Sequence, residues 1–297
     1  DKSSRTLGPM GTLSSHQSKI EASPCPLSDP IFAAFAQETL VPFEGDAYPF
    51  LSTVAGVLRS GGVPLGQLHR IANARCDVED LPALADDAAV PSTSGPRDNP
   101  FNKRWQTAKH DPESSGYDMF MKIYHTFLRE AVRADLGEDF ILFQRVPTLR
   151  VHLAGAQAVG RPHRDADYQH SPYEINYWLP LTEVDGTYSL WVESSRDKGD
   201  FHPLVASYGK VVRFYGNQVW HYTMRNASNR TRVSFDFRVI RFSDLRRAAV
   251  PIDYKGISLS REQHRRRGQF GLGNFYGLMG KDGELPREKA EELCASQ

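Results

Sequence analysis

The chain has 297 residues, 40% of them hydrophobic, and its 36 Lys plus Arg balance its 36 Asp plus Glu. This composition supplies a sizeable core and excludes a disordered chain, and the balanced charge gives no global field that would attract nucleic acid or an anionic membrane. No apolar run approaches the ~20 residues of a membrane-spanning helix, so we expect a protein whose partner is a small molecule.

The first part of the chain has a helical pattern. Residues 1–26 are rich in Ser, Pro and Gly and are predicted to be a flexible lead-in. Ser28-Asp29-Pro30 is a helix start signal, and the apolar residues that follow it at helix-like spacing are Ile31, Phe32, Phe35 and Leu40. Further helices are predicted at 50–58, 65–71 and 117–134. The stretch 89–115, which is rich in Pro, Ser, Asp and Gly, is predicted to be a loop.

From residue 139 the sequence changes to short β-branched and aromatic runs between turn signals, which indicates antiparallel strands. The predicted strands are 140–143, 148–153, 173–181, 187–192, 210–215 and 231–240. So many strands without intervening helices favour a mostly β fold with helical additions, namely a double-stranded β-helix (jelly-roll, cupin-like) core. We predict one domain over 27–297, with a helical part at 27–138, the jelly-roll core at 139–245 and a C-terminal extension at 246–297.

The C-terminal extension and the cysteines carry no sign of a separate site. A basic patch at 265–267 is interpreted as a solvated helix end, and a short helix is predicted at 286–294. Cys25, Cys76 and Cys294 are far apart and form no CxxC motif, which argues against a disulfide framework or a zinc site. We therefore expect a reducing, cytoplasmic location. The sequence leaves the oligomeric state open.

The strongest local signal is His163 and Asp165, separated by one residue between predicted strands. Side chains at positions i and i+2 of a strand point to the same face, so this imidazole and this carboxylate can converge on one ion. His221, after the Gly216-Asn217 turn, is the predicted third ligand. Two His and one carboxylate on one face leave the opposite positions of the metal open, which is the arrangement of non-haem iron(II) oxygenases.

Two other residues near His163 compete as metal ligands. His170 lies in the same loop, and we expect it to make a loop or substrate contact instead. Asp167 shares the strand parity of Asp165, but a third ligand from so short a segment would crowd the ion.

The strand at 231–240 has one apolar and one strongly polar face. Arg232, Ser234, Asp236 and Arg238 alternate with apolar residues. If the apolar face packs against the helices, the polar face looks into the barrel, where a cation persists only when it is paired. A dicarboxylate could pair one of these arginines through the two-pronged guanidinium. The alternative for Arg232 is a structural ion pair with Asp236.

The stretch 147–240 resembles 2-oxoglutarate/Fe(II)-dependent oxygenases, especially the streptomycin-biosynthesis oxygenase-like group. The resemblance covers about a third of the chain and rests on His163-x-Asp165, Glu174-x-Asn176-x-Trp178-x-Pro180-Leu181-Thr182, Trp191-Val192-Glu193-Ser194, Gly216-Asn217 before His221, and Thr231-Arg232-Val233-Ser234. In such enzymes the cosubstrate Arg commonly follows the distal His and is often followed by Ser two positions on. Arg232 and Ser234 fit that placement, with Arg238 as the reserve candidate.

The resemblance implies an enzyme that uses iron(II), 2-oxoglutarate and O2 to hydroxylate or desaturate a small molecule, with release of succinate and CO2, in secondary metabolism. Asn176 is expected to donate a hydrogen bond to 2-oxoglutarate or to a ligand residue. Trp178 is explained at least as well by core packing, and Arg150 and His152 line either a substrate contact or an exposed sheet face. Two alternatives remain: a cupin-type metal-dependent dioxygenase or isomerase without 2-oxoglutarate, and a non-enzymatic jelly-roll ligand-binding protein.

Overall fold

The computed structural model describes residues 26–72, 99–158, 161–168, 170–249, 252–253, 256–257, 272–273 and 275–295. The predicted lead-in up to residue 25, the basic patch at 265–267, Cys25 and Cys76 lie outside these residues.

Helix α1 (Pro30–Phe35) begins at the predicted signal, because the Asp29 carboxylate accepts a hydrogen bond from the Ile31 amide at 2.8 Å. Its predicted continuation to Leu40 is wrong. Leu40 belongs to strand β1 (Thr39–Pro42), which pairs with the main sheet. Helix α2 (Phe50–Val57) is confirmed, and the helix predicted at 65–71 is a 3-10 helix, Leu65–Arg70.

The loop predicted at 89–115 is wrong in its described part, which contains helix α3 (Pro100–His110). Asn99 caps this helix by accepting a hydrogen bond from the Phe101 amide at 2.9 Å, and Pro100 occupies the first turn. The helix predicted at 117–134 is confirmed. It comprises α4 (Ser115–Phe127), a π-helical turn (Leu128–Val132) and α5 (Arg133–Leu136), and it ends at Gly137, whose φ is 62°.

Two antiparallel sheets form the β core, which confirms the predicted fold class. The strands after β1 are β2 (Ile141–Gln144), β3 (Thr148–His152), β4 (Ile175–Pro180), β5 (Trp191–Val192), β6 (His202–Pro203), β7 (Lys210–Phe214), β8 (His221–Tyr222), β9 (Arg232–Arg241), β10 (Ile252–Asp253), β11 (Gly256–Ile257), β12 (Tyr276–Gly280) and β13 (Gly283–Glu284). The large sheet has the order β1-β7-β4-β9-β2-β12-β13, with β3 also paired to β9. The small sheet has the order β6-β5-β8.

Strands from outside the predicted core region complete the large sheet. β1 pairs with β7, and β12 pairs with β2. The predicted strand 187–192 is shorter than expected, because Gly186–Tyr188 is a 3-10 helix that leaves two residues for β5. Helix α6 (Phe242–Arg247) follows β9, and α7 (Arg287–Ala295) matches the predicted terminal helix. Among the described helices, none has the length and apolarity to cross a membrane.

The apolar face of β9 packs against the helices, as predicted. Its residues Val233, Phe235, Phe237 and Val239 are fully buried. Phe235 contacts Phe50 of α2 and Phe120 of α4, with ring centroids 5.0 and 5.4 Å apart. A second apolar cluster, which includes Trp178, Val192 and Phe214, lies on the opposite face of the large sheet. The polar face of β9 therefore looks toward the space between the two sheets.

Candidate metal centre

The structure brings His163, Asp165 and His221 together, with one donor atom of each within 4.8 Å of the others. His163 and His221 form an antiparallel bridge in which each amide donates to the other's carbonyl, at 3.1 and 2.9 Å. The Asp165 amide donates to the Gly216 carbonyl at 2.9 Å, and Asp165 begins a 3-10 helix, Asp165–Tyr168. The convergence thus comes from a bridge and a turn, and no regular strand carries the His-x-Asp segment.

The two imidazoles turn the same nitrogen toward the carboxylate. Nε2 of His163 and Nε2 of His221 lie 3.9 and 3.7 Å from Asp165 Oδ1. Nδ1 of His163 lies 2.7 Å from the Arg161 carbonyl, and Nδ1 of His221 lies 3.1 Å from the Val219 carbonyl. Because a carbonyl only accepts, each Nδ1 carries the proton and each Nε2 keeps a lone pair for a metal. This donor set fits a divalent transition-metal ion.

Electrostatics keep Asp165 ionised and His221 neutral. Burial raises the pKa of the Asp165 carboxyl, but the Arg238 guanidinium outweighs this effect and holds the pKa well below its usual value. Burial lowers the pKa of His221, whose side chain is only 8% exposed. Metal ligands must be deprotonated to bind, so the site holds both groups in the form that a metal requires.

Gly216 is required by the packing around Asp165. Asn176 donates from Nδ2 to Asp165 Oδ2 at 2.7 Å and accepts at Oδ1 from the Gly216 amide at 3.1 Å. A Cβ on Gly216 would lie 2.8 Å from three atoms of the Asn176 amide group. Of the two predicted roles of Asn176, the structure thus shows the hydrogen bond to a ligand residue.

Arg232 and Ser234 form a second polar group on β9. Arg232 is 1% exposed and donates from Nη1 to the Ser189 carbonyl at 3.1 Å. Its Nε and the Ser234 hydroxyl are buried and have no hydrogen-bond partner among the described residues. In the described part of the chain no carboxylate lies within ion-pair distance of Arg232, and burial and Arg150 lower its pKa to about 9. The alternative ion pair with Asp236 is not formed.

The comparisons with known proteins identify the family of the chain. No family model matches the chain. The streptomycin biosynthesis protein StrG of Streptomyces griseus is 35% identical over 196 residues, which cover 66% of this chain and 86% of StrG. The chain belongs to the StrG family. The resemblance predicted from the sequence motifs is thereby confirmed.

Solved structures similar to this StrG-family chain are more distant. EctD from S. alaskensis, solved with 2-oxoglutarate and 5-hydroxyectoine, is 17% identical, with 74% of this chain and 78% of EctD covered and a TM-score of 0.43. AviO1 from Streptomyces viridochromogenes Tue57 is 15% identical, with 72% and 95% covered and a TM-score of 0.41. Both scores lie below 0.5, so the fold assignment rests on the strand order.

The other predicted residues of the StrG-family chain lie around the metal triad and the Arg232–Ser234 pair. His170 Nδ1 is 2.8 Å from Glu174 Oε2, and Asp167 accepts from the Arg164 amide at 3.0 Å, so each has a partner outside the triad. Trp178 is 2% exposed, and its ring centroid lies 6.0 Å from Arg232 Cζ. His152 is buried opposite Arg232 in the β3–β9 register.

Arg238, the reserve cosubstrate residue, is already paired. Its guanidinium binds Asp165 with two prongs, Nε to Oδ2 at 2.8 Å and Nη2 to Oδ1 at 2.9 Å. Sequence reasoning missed the rest of this network. Tyr276 of β12 donates a hydrogen bond to Glu174, whose other carboxylate oxygen lies 3.4 Å from Arg238. Glu174 belongs to a quoted motif, but no local signal marks Tyr276.

Proposed function

We propose that this protein is an iron(II)- and 2-oxoglutarate-dependent oxygenase that hydroxylates or desaturates a small molecule. The observation that carries the proposal is Arg232, a buried cation that has no acidic partner among the described residues, beside the Ser234 hydroxyl, which also has none there. Both lie on the face of β9 from which Arg238 binds Asp165 of the metal triad. A ligand that brings its own carboxylate would supply the missing partner.

The residues present fit both groups. His163 and His221, through Nε2, and Asp165, through Oδ1, would hold iron(II). Arg232 and Ser234 would bind the far carboxylate of 2-oxoglutarate. When bound, iron(II), 2-oxoglutarate and O2 supply the oxidising power that attacks a C–H bond, and the cosubstrate leaves as succinate and CO2.

The protein's own part is to bind, orient and exclude water. The carbonyls of Arg161 and Val219 fix the protonated nitrogen of each imidazole, so the other nitrogen faces the ion. Trp178 and its apolar neighbours pack beside Arg232, and in such low-dielectric surroundings a charge-assisted hydrogen bond is stronger than in water.

Asp165 bears on the reaction type. In relatives that halogenate, a small residue typically stands where this carboxylate stands, leaving room for chloride. The carboxylate present here favours hydroxylation or desaturation. StrG is named for streptomycin biosynthesis, and we propose that this chain likewise acts in secondary metabolism on a small molecule, with neither nucleic acid nor a membrane as its partner.

The test is cosubstrate turnover by the purified protein. Anaerobic addition of Fe(II) should saturate at one ion per chain, and 2-oxoglutarate should then produce the visible charge-transfer band of its iron chelate. On admission of O2, succinate should form even without the substrate, although slowly. Iron binding without either the band or succinate would favour a cupin-type enzyme, and no tight iron binding would favour a ligand-binding protein.

The triad has its own test. Alanine at His163, Asp165 or His221 removes one of three protein ligands, so each variant should lose tight iron binding while keeping its fold. Normal iron stoichiometry in any one of them would show that the residue is not a ligand.

A further inference from the structure

The Asp165 carboxylate is surrounded by donors that occupy most of its lone pairs. Oδ2 accepts from Asn176 Nδ2 at 2.7 Å and from Arg238 Nε at 2.8 Å. Within the described part of the chain, Oδ1 accepts only from Arg238 Nη2, at 2.9 Å. A carboxylate offers about four lone-pair sites, so one is left, on Oδ1. Oδ1 is also the oxygen that lies 3.7 and 3.9 Å from the two ligand nitrogens.

We propose that Arg238, together with Asn176, is a positioning residue that restricts Asp165 to coordinating the metal through one oxygen. This inference rests on the proposed function. A carboxylate that bound through both oxygens would occupy a second coordination position. Because Oδ2 is saturated with donors, that position stays available to a chelating cosubstrate and to O2.

Arg238 is suited to this role because it is itself anchored. Its guanidinium lies 3.4 Å from Glu174, 3.7 Å from Asp236 and 3.3 Å from the Gln144 side-chain oxygen, and its side chain is 12% exposed. These contacts hold the guanidinium in the orientation in which it donates to both oxygens of Asp165. A Lys would keep the positive charge but lose the two-pronged contact.

The experiment counts the water molecules on bound Mn(II), used as the probe in the full-length protein. Broadening of the Mn(II) EPR signal in water that carries the magnetic oxygen isotope gives this count. The unmodified protein should show about three waters on a six-coordinate ion, and Arg238→Lys about two. Since 2-oxoglutarate must then displace a carboxylate oxygen, its affinity should fall about tenfold. Asn176→Ala should shift both quantities in the same direction by less.

The matched control is Arg232→Met, which removes the other Arg on the polar face of β9 and should weaken 2-oxoglutarate binding with the water count unchanged. An unchanged count in both Arg238→Lys and Asn176→Ala overturns the inference. Weaker 2-oxoglutarate binding by Arg238→Lys with an unchanged count also overturns it and assigns Arg238 to the cosubstrate. If Arg238→Lys does not fold, Asn176→Ala decides. Failure of the unmodified protein to bind Mn(II) would overturn the proposed function and this inference with it.

Discussion

At the scale of single residues, Arg232 shows how a ligand site can oppose stability. A buried charge without a counterion costs several kcal/mol, and replacing buried charges with apolar residues of similar volume is often neutral or stabilising. The lowered pKa of Arg232 reflects this cost. The residue is poorly explained by the needs of the fold alone.

We expect Arg232→Met to leave the unfolding free energy of the ligand-free protein unchanged or to raise it by about 1 kcal/mol. The same change should weaken 2-oxoglutarate binding at least about tenfold, because a charge-assisted hydrogen bond contributes about 1.5–3 kcal/mol. Denaturant unfolding and cosubstrate titration measure the two effects. Ser234→Ala should weaken binding less. A large loss of stability in Arg232→Met would instead identify Arg232 as a structural residue.

His152 makes the stability depend on pH. Burial and Arg232 lower its pKa to about 4, against about 6.5 in an unfolded chain. Between these values the unfolded state binds more protons, so this stability is present above about pH 6.5 and is lost as the pH falls toward 4. His152→Leu should therefore reduce the drop in unfolding free energy between pH 7 and pH ~4.5 by about 2–3 kcal/mol. Equal drops in the two proteins would show that His152 does not carry this effect.

Removing the Asp165 carboxylate should create an anion site. In Asp165→Gly, Arg238 Nε, Arg238 Nη2 and Asn176 Nδ2 lose their acceptor and point into the vacated space. We expect chloride to raise the melting temperature of this variant, because a ligand that binds only the folded state stabilises it. The control is the unmodified protein at matched ionic strength. The same chloride response in both proteins would contradict this view of the Asp165 surroundings.

At the scale of elements, the turn after β7 determines where Asp165 lies, since the Gly216 carbonyl accepts from the Asp165 amide. Gly216→Ala would force Asn176 away and should reduce both stability, by about 1–3 kcal/mol, and metal affinity. Gly56→Ala is the matched control, because it adds a methyl group with nothing within 4 Å, on an exposed face of α2. It should stabilise the protein by about 0.5–1 kcal/mol. Metal titration and thermal unfolding of both variants decide this prediction.

Sequence patterns revealed the elements whose signals are local. The long alternation of β9 predicted both its buried and its polar face, and the spacing of His163 and Asp165 was informative even though no regular strand carries it. Strands β5, β6 and β8 have two residues each, too few for a periodicity to be seen. Helix α3 was overlooked because the Asn99-Pro100 start signal sits at the end of a Pro- and Ser-rich stretch.

Which arginine is paired could not be read from the sequence, because Arg232 and Arg238 share a strand face and a parity. The difference depends on partners from other strands. Arg238 lies opposite Asn176 in the β4–β9 register, close to Asp165, whereas Arg232 lies opposite His152 in the β3–β9 register. Tyr276 reaches Glu174 across 102 residues of chain, and a contact that remote has no local signature.

At the scale of the whole molecule, β12 connects the C-terminal region to the centre. Tyr276→Phe removes a hydrogen bond to the buried Glu174 and should cost about 1–3 kcal/mol of stability. Because Glu174 also contacts Arg238, metal affinity should fall as well. Tyr124→Phe, which loses a bond to the Gln144 carbonyl, is the control and should reduce stability alone. Isothermal metal titration distinguishes the two variants. If Tyr276→Phe and Tyr124→Phe bind the metal equally well, Tyr276 has only a structural role.

The bridge between His163 and His221 has a consequence for the lifetime of a bound metal. Each amide proton of the pair is held by the other residue's carbonyl, so neither can exchange with solvent until the bridge opens. Opening of the bridge also separates two of the three metal-binding side chains. Release of the ion and solvent exchange of the two backbone amide protons therefore follow the same local opening. The rate at which the backbone amides of His163 and His221 take up deuterium should therefore report how long the metal stays bound.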